Sequence, residues 1–192
     1  GSTLENSIAR DNYLAGVVLA EGGTYTLTNN IVAHNAVEVG NYGMYVAYDP
    51  PATADLKLFN NIFAFNGSSV YFGEHVSLTA DHNIYYSRED SEIQAAFTAR
   101  FDYSRDDINM GVWFQETGNG RYSGSVDPRF VDGAGRDYHS QPDSPAIDSG
   151  SNAWAPLVDF DGVRRPQGDF ADIGAYEYVD QRPRVRLPLL MK

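Results

Sequence analysis

The chain has 192 residues, a net charge of −12 and no cysteine. That length suits a single core of ordinary size. The missing cysteines exclude a disulfide framework and thiolate chemistry, the acidic excess speaks against nucleic acid as a partner, and no stretch nears the roughly 18 apolar residues of a membrane span.

In chain order, the first feature is a repeat. "LENSIARDN" (4–12), "LTNNIVAHN" (27–35), "LFNNIFAFN" (58–66) and "ADHNIYYSR" (80–88) align on Ile8, Ile31, Ile62 and Ile84, at spacings of 23, 31 and 22 residues. Such periods mark stacked solenoid coils. Four positions before each isoleucine stand Leu4, Leu27, Leu58 and Ala80; two before stand Asn6, Asn29, Asn60 and His82; four after stand Asn12, Asn35, Asn66 and Arg88. Asparagines stacked at successive bends can hydrogen-bond along a ladder and satisfy amides that a bend would otherwise bury unpaired. The expected outward columns are Glu5, Thr28, Phe59, Asp81 and Asp11, His34, Phe65, Ser87, with Ala9, Val32, Phe63, Tyr85 beside them.

Each coil has a second apolar run, "GVVLAEG" (16–22), "GMYVAY" (43–48) and "SVYFGEH" (69–75), rich in β-formers and punctuated by glycine. The longer middle spacing places its excess at 37–42 or 49–55, both turn-like. After Arg88 the ladder stops. Ser104, followed by two aspartates, starts a capped helix that ends at Gly118 and carries Trp113 and Phe114 as a lid for the open stack. The predicted organisation is coils over 1–88, a helical and loop excursion over 89–125, a closing segment over 126–181 in which "SPAID" and "DIGAYE" read as strands, and a basic, apolar tail over 182–192.

Three phrases carry a resemblance: "VDPRFVD" (126–132), "DYHSQPDSPAIDSG" (137–150) and "DFDGVRRPQGDFADIGAYEY" (159–178). They resemble the closing segment of secreted bacterial parallel β-helix proteins of the pectate-lyase-like superfamily, with a choice-of-anchor-type C-terminal region. The resemblance implies a right-handed parallel β-helix, and with the repeats and capped helix above the expected fold is all-β, a solenoid of few coils with a short helix and a C-terminal cap. It also implies an extracellular or cell-surface location, and frequent association with polysaccharide lyases, hydrolases or adhesins. About four coils are too few for the long substrate groove of lyase relatives. The expectation is therefore a non-catalytic module that contacts glycans or neighbouring protein chains, with a polysaccharide-active lyase or glycoside hydrolase as the alternative.

Candidate residues fall in three groups. Glu74-His75 and Asp81-His82 are two His-carboxylate dipeptides seven residues apart, an acid-base or metal cluster on one reading and polar bends on the other. Asp159, Asp161, Asp169 and Asp172 are candidate ligands for calcium, the only cofactor considered; alternatively Arg164 and Arg165 neutralise them as buried ion pairs. Among 13 tyrosines, Tyr48 and Tyr86 are the candidate sugar contacts, beside Tyr45, Tyr71 and Tyr85 on strands. The tail holds Arg182, Arg184, Arg186 and Lys192 and no acid, leaving −16 on residues 1–181. Oligomerisation through that tail or through the open first coil is a further expectation, and a surface protein or polysaccharide is the expected partner.

Overall fold

The computed structural model describes residues 1–36, 41–47, 53–88 and 91–180. Tyr48, most of the two insertions and the tail at 182–192 lie outside the described residues.

Four successive coils build a parallel β-solenoid. Coil one is β1 (Ser2–Glu5), β2 (Ile8–Arg10) and β3 (Ala15–Leu19); coil two is β4 (Gly23–Thr28), β5 (Ile31–Ala33) and β6 (Tyr42–Val46). Coil three is β7 (Ala54–Phe59), β8 (Ile62–Ala64) and β9 (Ser68–Phe72); coil four is β10 (Val76–Asp81), β11 (Ile84–Tyr86) and β12 (Ile93–Ala95). Equivalent strands stack in parallel into three sheets, β1-β4-β7-β10, β2-β5-β8-β11 and β3-β6-β9-β12. The pairing register matches the sequence columns, with Leu4, Leu27, Leu58 and Ala80 abreast in the first sheet and the four isoleucines abreast in the second. The middle coil is lengthened at both suspected places: residues 34–41 join β5 to β6 where 11–14 and 65–67 suffice elsewhere, and 47–53 join β6 to β7 against 20–22 and 73–75.

Two bends per coil explain the asparagines. Asn6, Asn29, Asn60 and His82 have φ of 45, 53, 58 and 53°, and Asp11, His34 and Phe65 have φ of 57, 56 and 56°. Asparagine adopts this left-handed conformation at less cost than most residues. Each such residue turns the chain so that the next side chain points into the coil. At the first bend that residue is Ser7, Asn30, Asn61 or Asn83, and Asn61 shows the pattern. Its Oδ1 accepts from Asn30 N and Nδ2, both at 3.0 Å, while its Nδ2 donates to Leu27 O at 2.9 Å and to Asn83 Oδ1 at 3.0 Å. At the second bend Asn66 Oδ1 receives Asn35 N at 2.9 Å, and Asn35 Oδ1 receives Asn12 N at 3.0 Å.

The bends also decide which way the strand between them faces. With Asn61 inside, alternation puts Ile62 out, Phe63 in and Ala64 out. Val32, Phe63 and Tyr85 accordingly lie in the coil interior with Leu58, Met44 and Phe72, and Ala9 packs against that core. The expected outward placement of Ala9, Val32, Phe63 and Tyr85 is thus reversed. The isoleucine column faces out and is buried under the C-terminal segment, where Ile31, Ile62 and Ile84 meet Phe130, Tyr138, Ala146 and Ile173. Covering each isoleucine contributes about 1.5–3 kcal/mol.

The stack does not end at Arg88. β12 still pairs in parallel with β9, and β13 (Asp102–Tyr103) then adds antiparallel to β12. The lid follows as two short helices, α1 (Arg105–Asn109) and α2 (Val112–Thr117), because Gly111 at φ 76° breaks the expected single helix. Ser104 and Asp107 form a capping box at the start and Gly118 closes the end. Trp113, 1% exposed, is driven against Tyr103 across the end of the core, with centroids 4.7 Å apart.

From residue 126 the chain returns along the outer face of the second sheet. Its strands are the antiparallel pair β14 (Phe130–Asp132) and β15 (Asp137–Ser140). "SPAID" and "DIGAYE" are not strands. Buried carboxylates satisfy backbone amides there instead of a ladder: Asp172 accepts from Asp148 N at 2.8 Å and Tyr178 N at 2.6 Å, and Asp159 accepts from the amides of Asp161, Val163 and Glu177 at 2.7–2.9 Å.

Candidate functional site

The bend column Asn6, Asn29, Asn60, His82 is the seam between solenoid and C-terminal segment. Asn6 Nδ2 donates to Val158 O at 2.6 Å, Asn29 Nδ2 donates to Asp172 O and Gly174 O at 2.9 and 3.0 Å, and Asn60 exchanges bonds with Ser151 N and O at 2.8 and 3.0 Å. At the fourth position the amide is replaced by an imidazole, and the seam opens into a cleft of about 620 Å³. His82, Tyr122 and Ser123 form one wall; Asp148, Ser149, Gly150 and Phe170 form the other.

Backbone bonds hold the first wall in place. Asp81 Oδ1 accepts from His82 N at 2.9 Å and Tyr122 N at 2.7 Å, and Ser123 Oγ accepts from Asn83 N at 3.0 Å. Asp81 Oδ2 stands 3.8 Å from His82 Nδ1, outside hydrogen-bond range, and that buried nitrogen has no partner among the described residues. The Tyr122 ring lies 5.0 Å from the imidazole and carries Arg121 at 5.5 Å. On the far wall Asp148 takes φ 52° and its Oδ1 accepts from Phe170 N at 3.2 Å.

Glu74 and His75 are elsewhere. Both are exposed in the turn before β10, whereas Asp81 is the last residue of that strand and His82 follows it. Six residues of strand separate the two dipeptides by about 20 Å. They do not converge on one centre.

The four aspartates are likewise spread among separate duties. Asp159 and Asp172 are buried and accept the amides named above; burial pushes the Asp172 carboxyl up to about 7. Asp161 Oδ2 meets His139 Nε2 at 3.0 Å, and the other ring nitrogen meets Asp137 Oδ1 at 2.6 Å. Burial acts to lower the His139 imidazole, but the two carboxylates outweigh it and hold its pKa above the usual value. Asp169 is exposed, and its carbonyl accepts from Asn152 Nδ2 at 3.0 Å. Among the described residues no three His, Asp or Glu side chains form a group that could hold a metal ion. A buried ion pair in this segment joins Arg165 to Glu177 at 2.8 Å, each side chain 1% exposed, and Arg165 also donates to Gly174 O at 2.8 Å. Arg165 therefore neutralises a glutamate that sequence reasoning did not single out.

Tyr86 is taken up by packing. Arg105 lies 4.7 Å over its ring, and Phe65 meets it edge-on. A cluster of partly exposed tyrosines stands instead on the outer face of the third sheet, where Val18, Tyr45, Tyr71 and Gln94 are abreast in neighbouring coils. Tyr45 and Tyr71 stack at 4.8 Å and 12°, Tyr42 leans on Tyr71 at 5.3 Å while its hydroxyl bonds Gln94, and Phe101 meets Tyr71 at 6.2 Å. Because the rings stack along the solenoid axis, they turn faces to one another and show edges and hydroxyls to solvent. A sugar platform would need free faces.

Tyr122, Asp148 and Phe170 escaped sequence reasoning because they reach the cleft from three distant segments. The one local signal was His82 itself, standing where the repeat has asparagine. No protein-family profile matches the chain, and comparisons with curated proteins and with solved structures return no match.

Proposed function

We propose that the chain is a binding module of a secreted or cell-surface protein, and that a neighbouring protein chain packs along the outer face of its third sheet. The carrying observation is the uncharged stretch Val18, Tyr45, Tyr71 with Phe101 against Tyr71, beyond which the row continues through Gln94 to Asp102. Val18 is 57% exposed, Tyr45 37% and Phe101 49%. Exposed aromatic and aliphatic side chains without charge, held on paired strands, have the composition of a protein interface core. Edge-on rings suit such a surface better than they suit the flat stacking of a pyranose. The extracellular setting rests on the resemblance of the three closing phrases. Separation of Glu74-His75 from Asp81-His82 favours binding over hydrolysis or elimination.

An array of bacterial surface proteins and polysaccharides, probed with the intact chain and with the Tyr45→Ser/Tyr71→Ser variant, tests the proposal. The expected result is a protein partner whose signal falls at least about tenfold in the variant, a loss of roughly 1.4 kcal/mol. Partners indifferent to the double substitution, or new reducing ends released from any polysaccharide, would overturn it.

A further inference from the structure

The seam cleft is independent of the tyrosine strip, and its chemistry can be matched to a ligand. Three of the four residues in the bend column clamp the C-terminal segment; the fourth, His82, holds the same backbone conformation at φ 53° yet its side chain makes no hydrogen bond across the opening to the described residues. The cavity of about 620 Å³ falls inside the range of small-molecule sites, about 300–1,000 Å³. Phe170 is 53% exposed and makes no ring contact among the described residues, so a flat apolar face is open to the cleft. Tyr122, 61% exposed, stands on the other wall.

Polar groups around these rings are mixed. The Asp148 carboxylate accepts hydroxyl protons. Ser123 Oγ uses a lone pair on Asn83 N and keeps its proton to donate. His82 Nδ1 is buried 3.8 Å from Asp81 Oδ2 and has no partner among the described residues, which leaves Nε2 as the ring nitrogen that can meet a ligand. Neither Asp81 nor Asp148 is ion-paired with a described lysine or arginine, and these two carboxylates outnumber the one guanidinium at this wall, Arg121 over the Tyr122 ring, so the balance is negative. An anionic ligand is repelled by these carboxylates. A simple cation would leave the hydroxyl donor and the open ring face unused.

The geometry points to a neutral sugar residue as the ligand of this cleft, with one face of the pyranose on Phe170 and its hydroxyls shared among Asp148, Ser123 and His82. Uronates are disfavoured by charge. The column supplies its own control, because His82→Asn restores the residue found at the other three bends and so suits both the backbone and the seam.

Titration of the labelled intact chain with methyl glycosides of glucose, galactose, mannose and N-acetylglucosamine, followed by amide NMR, tests this. At least one is expected to shift the amides of Tyr122, Ser123, Ser149 and Phe170 saturably, with galacturonate binding at least about tenfold more weakly. Phe170→Ala and His82→Asn are each expected to weaken binding about tenfold or more while the melting temperature holds. Tyr45→Ser on the third sheet should leave it unchanged, which separates failure of this site from failure of the strip. Absence of shifts at these amides with all four glycosides, equal binding of galacturonate, or shifts indifferent to both variants would overturn the assignment.

Discussion

Replacing Asn61 with alanine breaks the ladder at its centre, and the cost can be worked out bond by bond. Four hydrogen bonds disappear: two accepted from Asn30 and two donated, to Leu27 O and Asn83 Oδ1. Two of the former partners keep another bond, since Asn30 Nδ2 still reaches Leu4 O at 2.9 Å and Asn83 Oδ1 still accepts from Asn61 N at 2.9 Å. Asn30 N, whose acceptor was Asn61 Oδ1, is left buried and unpaired, at about 1–3 kcal/mol, and the other lost bonds add about 1 kcal/mol net each where they are not replaced. A total of about 3–4 kcal/mol follows, a large share of the roughly 5–15 kcal/mol that holds a domain together. Urea titrations followed by far-UV circular dichroism measure it, with an expected fall in midpoint at unchanged slope. Asn61→Asp should be at least as damaging, because it keeps the acceptor but faces Leu27 O and Asn83 Oδ1 with a second acceptor. A loss below about 1 kcal/mol in Asn61→Ala would refute the ladder as a principal support of the bends.

At Asn60 the backbone matters as well as the side chain: Asn60→Gly should cost about 1–3 kcal/mol for the bonds to Ser151 and Asn29, and Asn60→Ala about 1 kcal/mol more because alanine is strained at φ 58°. Equal losses in the two variants, by urea titration, would count against that strain. The His139 bridge predicts a pH dependence. Its folded pKa is raised above the unfolded value near 6.5, so its contribution is complete below about 6.5 and is lost as pH rises through the folded pKa. The melting temperature of the wild type should therefore exceed that of His139→Gln by more at pH 6 than at pH 9, and a constant difference would exclude the bridge as the cause. Finally, because Asp159 and Asp172 spend their oxygens on backbone amides, a chelator should leave the melting temperature unchanged; a drop would show a cation bound to the folded state.

Much of the solenoid could be read in the sequence because its rules are local. A bend that repeats every coil writes Asn60, Asn66 and their counterparts into the chain at fixed offsets from an isoleucine, and pairing in register follows from the offsets. The facing of the strand between the bends is not written so plainly. Ile62 and Phe63 are both apolar, and only the left-handed φ at Asn60, which sends Asn61 inward, determines that Phe63 goes to the core. The inner column of Asn30, Asn61 and Asn83 was hidden by the outer column beside it, since "NN" offers two asparagines for one ladder and composition does not say which is which.

The cleft was less legible for a different reason. Its first wall belongs to the repeat, where His82 stands out against three asparagines, but its second wall is supplied by a segment with no periodicity, held by Asp148, Asp159 and Asp172 through carboxylate-to-amide bonds that have no sequence period. Two facts together give the site its place. The C-terminal segment needs the outward isoleucines Ile31, Ile62 and Ile84 covered, which fixes it against the second sheet, and it needs partners at the bends, which Asn6, Asn29 and Asn60 provide. Where the fourth bend offers an imidazole in place of an amide, the cover remains seated on Ile84 but loses its clamp. The opening thus coincides with the one bend of the repeat that lacks asparagine, is confined to the end of the seam, and leaves the core on either side intact.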